Sequence, residues 1–165
     1  MALTFQRLGP EQFGLGTELA VAPEQLEFTG TVGEALVQLG DYRHPHGIWR
    51  DELLVGFFIV DTNFAAEFDF CDEGDLGIRT FLIDSRYQGQ GLGKAAAGAI
   101  KPFLETSYPD FETVWLTVNC RNRGAYLCYE AGGFSDTGDC YLGGAAGPQH
   151  VMRLALGTVS LTMLN

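Results

Sequence analysis

A chain of 165 residues, 46% apolar and 19% charged, is long enough to bury a core of its own and too apolar to stay disordered. Its 21 acidic residues against 10 lysines and arginines give a formal charge of −11, a field that repels nucleic acid and anionic membranes and favours the approach of cations, although an acidic surface also serves solubility alone. Four cysteines without C-x-x-C spacing argue against zinc and read as reduced thiols; with no signal-peptide pattern and no apolar run of membrane length, a cytoplasmic chain without a metal is expected.

Residues 2–8 alternate apolar and polar, as a first strand does, and Pro10-Glu11 opens a helix over 10–20. A second helix is expected over 31–40. Val21 to Gln25 and Tyr42 to Gly47, rich in Pro, Gly and polar residues, read as loops. Leu53 to Val60 is an unbroken apolar run that suits a strand buried on both faces, and 76–83 makes a comparable one. The alanine-rich stretch 95–100 is helical, with Pro102 expected to kink or shorten it.

Val114 to Val118 reads as another buried strand, and Arg123 to Ala131 as a helix stopped by Gly132-Gly133. Two last strands fall near 134–142 and 149–156. The order β-α-α-β-β-β-α-β-α-β-β describes an α/β fold, a mixed sheet with helices on both faces, in one domain over 1–157 with a tail at 158–165.

Between the strand at 76–83 and the helix after it stands Gln88-Gly89-Gln90-Gly91-Leu92-Gly93-Lys94. Small residues there let backbone N–H groups approach a ligand, and the helix N-terminus adds partial positive charge, which together make an anion cradle. The spacing is wrong for a Walker loop, with Gln88 in place of the first glycine and Ala95 in place of Ser or Thr, and wrong for G-x-G-x-x-G, whose third glycine would fall on Lys94. A turn that merely packs helix on sheet is the alternative.

About thirty residues on runs Asn122-Arg-Gly-Ala125-Tyr-Leu-Cys-Tyr129-Glu130-Ala-Gly-Gly133-Phe134. The two motifs together resemble the GNAT acetyltransferases, with Q/R-x-x-G-x-G/A followed by N-x-x-A-x-x-x-Y-E-x-x-G-F. Leu19 to Phe28, Val55-Gly56-Phe57, Phe81 to Gly91 and Val151 to Leu154 extend the resemblance to the diamine and polyamine acetyltransferases. Those relatives usually carry lysine at the Gln90 position, tyrosine or isoleucine at Leu92 and arginine at Thr80.

The resemblance implies a single-domain GNAT fold: a mostly antiparallel sheet of six to seven strands with splayed central strands. It also implies acetyl-CoA as cosubstrate and direct attack by a primary amine of a small molecule, a polyamine or diamine, in a ternary complex. Main-chain groups of Leu82, Ile83 and Asp84 would hold pantetheine, and the N–H groups of Gln88, Gly89, Gln90, Gly91, Leu92, Gly93 and Lys94 would hold the pyrophosphate. Asn122 would bind the cofactor or cap its helix, with Ala125 in register beside it.

Tyr129 would donate the proton to the departing thiolate, since a phenol with a pKa of about 10 is protonated at neutral pH. The base that many relatives place on the strand before the loop is missing, with Gly77 and Arg79 there; Glu24, Asp84 or another carboxylate acting through water are candidates. Glu24, Gln25, Phe28 and Trp49 would shape the acceptor pocket, Phe28 and Trp49 serving equally well as core. Other acceptors on the same chemistry are a protein N-terminus, a lysine or an aminoglycoside, and a non-catalytic acyl-CoA sensor is the contrasting class. Dimers are common among relatives, and Val159 to Leu164 suits either such an interface or a loose tail.

Overall fold

The computed structural model describes residues 2–157, so the tail at 158–165 and its apolar run lie outside the described residues. Seven strands form one sheet: β1 (Thr4–Arg7), β2 (Arg43–Arg50), β3 (Leu53–Asp61), β4 (Leu76–Ile83), β5 (Thr113–Asn119), β6 (Ser135–Tyr141) and β7 (Gln149–Ala155). Their spatial order is β1-β2-β3-β4-β5-β7-β6, antiparallel at every pairing except the central β4 and β5. Helices α1 (Phe13–Thr17), α2 (Leu26–Thr29) and α3 (Val32–Val37) precede β2, while α4 (Leu92–Ser107) and α5 (Arg123–Ala131) flank β5 in the chain. Among the described residues no helix is long and apolar enough to cross a membrane.

The apolar run of β3 is buried on both faces, as its lack of alternation requires. Phe58 and Val60 pack with Ile100 and Leu104 of α4 in one core, and Phe57 and Ile59 pack with Leu8, Leu19 and Val32 in another. Each such side chain removed from water contributes about 1.5–3 kcal/mol. Helices α4 and α5 touch closely because Gly132 lacks a side chain; a Cβ there would stand 2.6 Å from the Ala97 carbonyl.

Two expectations are corrected. The segment Tyr42 to Gly47 is not a loop, because β2 begins at Arg43 and pairs with both β1 and β3. Pro45 is tolerated since its carbonyl, accepting from the Leu8 N–H at 2.9 Å, turns its missing donor toward the side where β1 has already ended. Likewise α4 runs on to Ser107 and is not shortened by Pro102. That residue and Gly98, whose carbonyl loses its partner, both face solvent, while Ile100 and Leu104 anchor the helix in the core. The short helix α2, within a stretch expected to lead from a loop toward the second helix, was not anticipated.

Candidate functional site

Strands β4 and β5 pair only at Leu76↔Val114 and Gly77↔Trp115, and then part. Beyond the point of parting β4 carries a bulge: Leu82 faces Phe57 and Arg79 faces Ile59, so Thr80 and Phe81 together oppose Phe58. Thr80 takes a left-handed backbone with φ of 51°, an uncommon conformation for a β-branched residue. From the bulge on, Phe81, Leu82 and Ile83 line a cavity of about 320 Å³ together with Asn122, Gly124, Ala125, Cys128 and Tyr129.

Gln88, Gly89 and Gly91 to Lys94 close one end of this cavity. Gly89 and Gly91 have φ of 78° and 80°, and Gly91 is the N-cap of α4 with no side chain capping the first turn. The leading N–H groups of α4 therefore have no intrahelical partner and no capping oxygen, and they sit at the cavity wall. Gln88 acts by its side chain: its amide donates to the Ile83 carbonyl and to Gln25 Oε1, each at 2.9 Å, and lashes the loop to β4 and to the segment before α2.

Asp84 departs from the expected role. Its N–H is spent on the Val55 carbonyl, its side chain is 1% exposed, and it does not line this cavity. Its carboxylate accepts from the Ala20 N–H at 2.9 Å and from the Arg86 N–H and Nε at 2.9 and 2.8 Å. Burial opposes ionisation, but the Arg86 bond and these amides outweigh it and hold the carboxyl below its ordinary range. It is a clip between the end of β4 and the chain after α1, with no free oxygen for proton relay. Gln90 does not line the first cavity, and its exposed side chain accepts from Arg50 Nη1 at 3.0 Å.

A second cavity of about 460 Å³ adjoins the first, the two sharing Thr29, Phe81, Asn122, Ala125 and Tyr129. Tyr129 is 7% exposed, and its hydroxyl has no hydrogen-bond partner among the described residues although it is not sealed from the cavity. Burial, with a smaller effect of Cys128, pushes its pKa well above the ordinary phenol range, so the proton stays on oxygen. Asn122 does not cap α5 with its side chain and lines both cavities, which sets aside its role as a plain cap. Cys128 lines the first cavity, its thiol pKa raised by burial.

Of the expected acceptor residues, Phe28 lines the second cavity and Gln25 the first. Glu24 is exposed and lines neither, and Trp49 packs in the core with Leu8 and Leu19. The carboxylates that line the second cavity are Glu27 and Glu67, neither anticipated. Both oxygens of Glu27 are held by Arg121, at 3.1 and 3.3 Å, and Arg121 also donates to the Ala146 carbonyl at 2.6 Å. Glu67 contacts Arg79 and lies 3.4 Å from Arg43, and buried Asp61 accepts from Arg79 Nε at 2.7 Å. A side chain at position 77, where a base was sought, would run into the ring of Phe64.

The sequence model described as the acetyltransferase (GNAT) family matches residues 14–134. The spermine/spermidine N(1)-acetyltransferase of Bacillus subtilis is 29% identical over 125 residues, 74% of this chain and 80% of that protein. Among solved structures, aminoglycoside acetyltransferase AAC(6')-Ib in complex with coenzyme A superposes with a TM-score of 0.75 at 19% identity, covering 93% of this chain and 95% of that one. The ribosomal-protein-S18-alanine N-acetyltransferase of Escherichia coli gives 0.67 at 17% identity, covering 97% of each. These last two likenesses are of fold.

Proposed function

Because the chain belongs to the GNAT acetyltransferase family, we propose that it transfers an acetyl group from acetyl-CoA to the primary amine of a small molecule, with polyamines and diamines foremost among acceptors. The observation that carries the reading is Tyr129: a buried, protonated side chain whose hydroxyl has no partner among the described residues, at the place where a glycine-cradled cavity meets a second one.

The first cavity fits the cosubstrate on its own features. An uncapped helix start, and glycines at 89 and 91 with nothing within 4 Å of where a Cβ would stand, leave room and donors for a pyrophosphate. The parted edge of β4 suits an extended pantetheine arm. When bound, acetyl-CoA supplies an acetyl group activated as a thioester. In this reading Leu82 and Ile83 line the arm, Gly89 and Gly91 to Lys94 hold the phosphates, and Asn122 and Ala125 form the opposite wall. Gln88 holds the loop in shape.

Tyr129 then provides a proton at the junction, and the second cavity takes the acceptor between Phe28, Phe81 and the walls carrying Glu27 and Glu67. Polyamines stand first because the Bacillus subtilis relative is named for spermine and spermidine, and because the net charge of −11 draws cations. Thiol release from acetyl-CoA with spermidine, spermine, putrescine, a lysine peptide and an aminoglycoside tests this. Turnover confined to polyamines supports it; turnover only on the peptide or the aminoglycoside moves the acceptor, and saturable CoA binding with no turnover on any amine moves the protein to a sensor.

A further inference from the structure

We infer that Glu67 is the subsite for a second ammonium of the acceptor, so that the cavity selects amines carrying two cationic groups over those carrying one. The inference rests on the reading of the second cavity as the acceptor site. Two carboxylates line that cavity, and their hydrogen bonds differ. Glu27 has both oxygens engaged by Arg121. Glu67 meets Arg43 and Arg79 through Oε2 alone, and its Oε1 has no partner among the described residues. Its side chain is 47% exposed, which leaves that oxygen a carboxylate acceptor not claimed by the protein.

The surroundings hold this group in place. Arg79 is fixed by the bond from Nε to buried Asp61 and lies over the rings of Phe64 and Phe68, at 4.9 and 5.3 Å from their centroids. It is therefore a rigid post for Glu67 Oε2. Arg43 and Arg79 balance Asp61 and Glu67 in formal charge, so the cluster does not repel an incoming cation, and the chain as a whole attracts one. The independent mark of a ligand in the same cavity is the hydroxyl of Tyr129, a residue only 7% exposed, which has no hydrogen-bond partner among the described residues. A diamine would have one nitrogen at the Tyr129 end and the other at Glu67, forming charge-assisted hydrogen bonds that a monoamine cannot make.

The test compares putrescine with butylamine, equal in carbon chain and different by one ammonium, by calorimetric titration of the CoA-loaded protein at pH 7. Glu67→Gln should weaken putrescine at least tenfold and change butylamine less than threefold. Arg43→Gln leaves Glu67 in place and removes a competing cation, so it should tighten putrescine severalfold with butylamine unmoved. A structural role for the cluster would shift both amines together, and with both variants in the same direction. Equal changes for the two amines, no change in either variant, or a wild-type protein that binds putrescine no better than butylamine overturns the inference. If putrescine binds in a Glu67-dependent way but is not acetylated, the subsite stands and the proposed acceptor falls.

Discussion

The ring of Phe81 meets the ring of Tyr129 edge-on, centroids 5.6 Å apart, on the line where the two cavities join. Phe81 comes from the bulge of β4 and Tyr129 from the last turn of α5, and the two meet where β4 and β5 have parted. The contact is apolar on the Tyr129 ring and leaves the oxygen free. Tyr129→Phe should therefore keep the packing and the CoA affinity, and lower kcat about 100-fold, within the range of a general acid. Because burial holds this phenol above its ordinary range, kcat/KM should rise with pH as the amine loses its proton, with no falling limb below about pH 10. A tenfold loss of CoA affinity in the variant, measured by titration, would reassign Tyr129 to cofactor binding.

Gly91→Ala separates folding from cofactor binding. With φ of 80° and nothing within 4 Å of the added methyl, the substitution meets only backbone strain, about 1–2 kcal/mol for an L-residue in the left-handed region. The melting temperature should fall by about 2–8 °C. CoA should bind more than tenfold more weakly, since the residue leads into the uncapped first turn of α4 at the cavity wall. A variant that loses stability but not affinity would show that the loop only packs the helix.

Removing the Asp84 carboxylate should cost stability first. Asp84→Ala leaves the N–H groups of Ala20 and Arg86 without their acceptor and uncouples the end of β4 from the chain after α1. Unsatisfied donors of this kind cost about 1–3 kcal/mol each, and a loss of roughly 2–4 kcal/mol is expected in urea unfolding. If the main loss were instead in the pH dependence of kcat, with stability unchanged, the carboxylate would be acting as a base despite its burial.

What could be read along the chain was what is local in it. The glycine loop, the strand before it and α5 up to Gly132 fall where spacing put them, because a turn, a cap and a periodic face are decided by neighbours. Strand β2 was hidden by Pro45 and Gly47, whose strand geometry depends on where β1 ends. Nothing in the local pattern marks the one-turn helix α2, which carries Glu27 to the cavity and leaves Glu24, in the turn before it, exposed. Glu67, Arg79 and Asp61 come from β3, β4 and the connection between them, and no spacing rule joins them. Asp84 looked like part of a binding strand because its hydrogen bond to Ala20 spans 64 residues.

A last expectation concerns acid stability, and it comes from the strand that composition had disguised. His46 is 2% exposed, stacked on Phe58 at 5.0 Å and edge-on to Phe103 at 5.3 Å, with its Nδ1 2.9 Å from the His44 carbonyl. Burial lowers its pKa to about 4, from 6.5 in the unfolded chain. Between those values the unfolded state binds the extra proton, so stability is complete above about pH 6.5 and is lost as the pH falls toward 4. The loss from this ring between pH 7 and pH 5 is about 2 kcal/mol. His46→Phe keeps an aromatic ring between Phe58 and Phe103 without a titrating group, so its urea-derived stability should fall about 2 kcal/mol less than that of the wild type over the same interval. Parallel curves for the two proteins would mean that the ring takes up its proton in the folded state as readily as in the unfolded one, which a site closed by Phe58 and Phe103 does not allow.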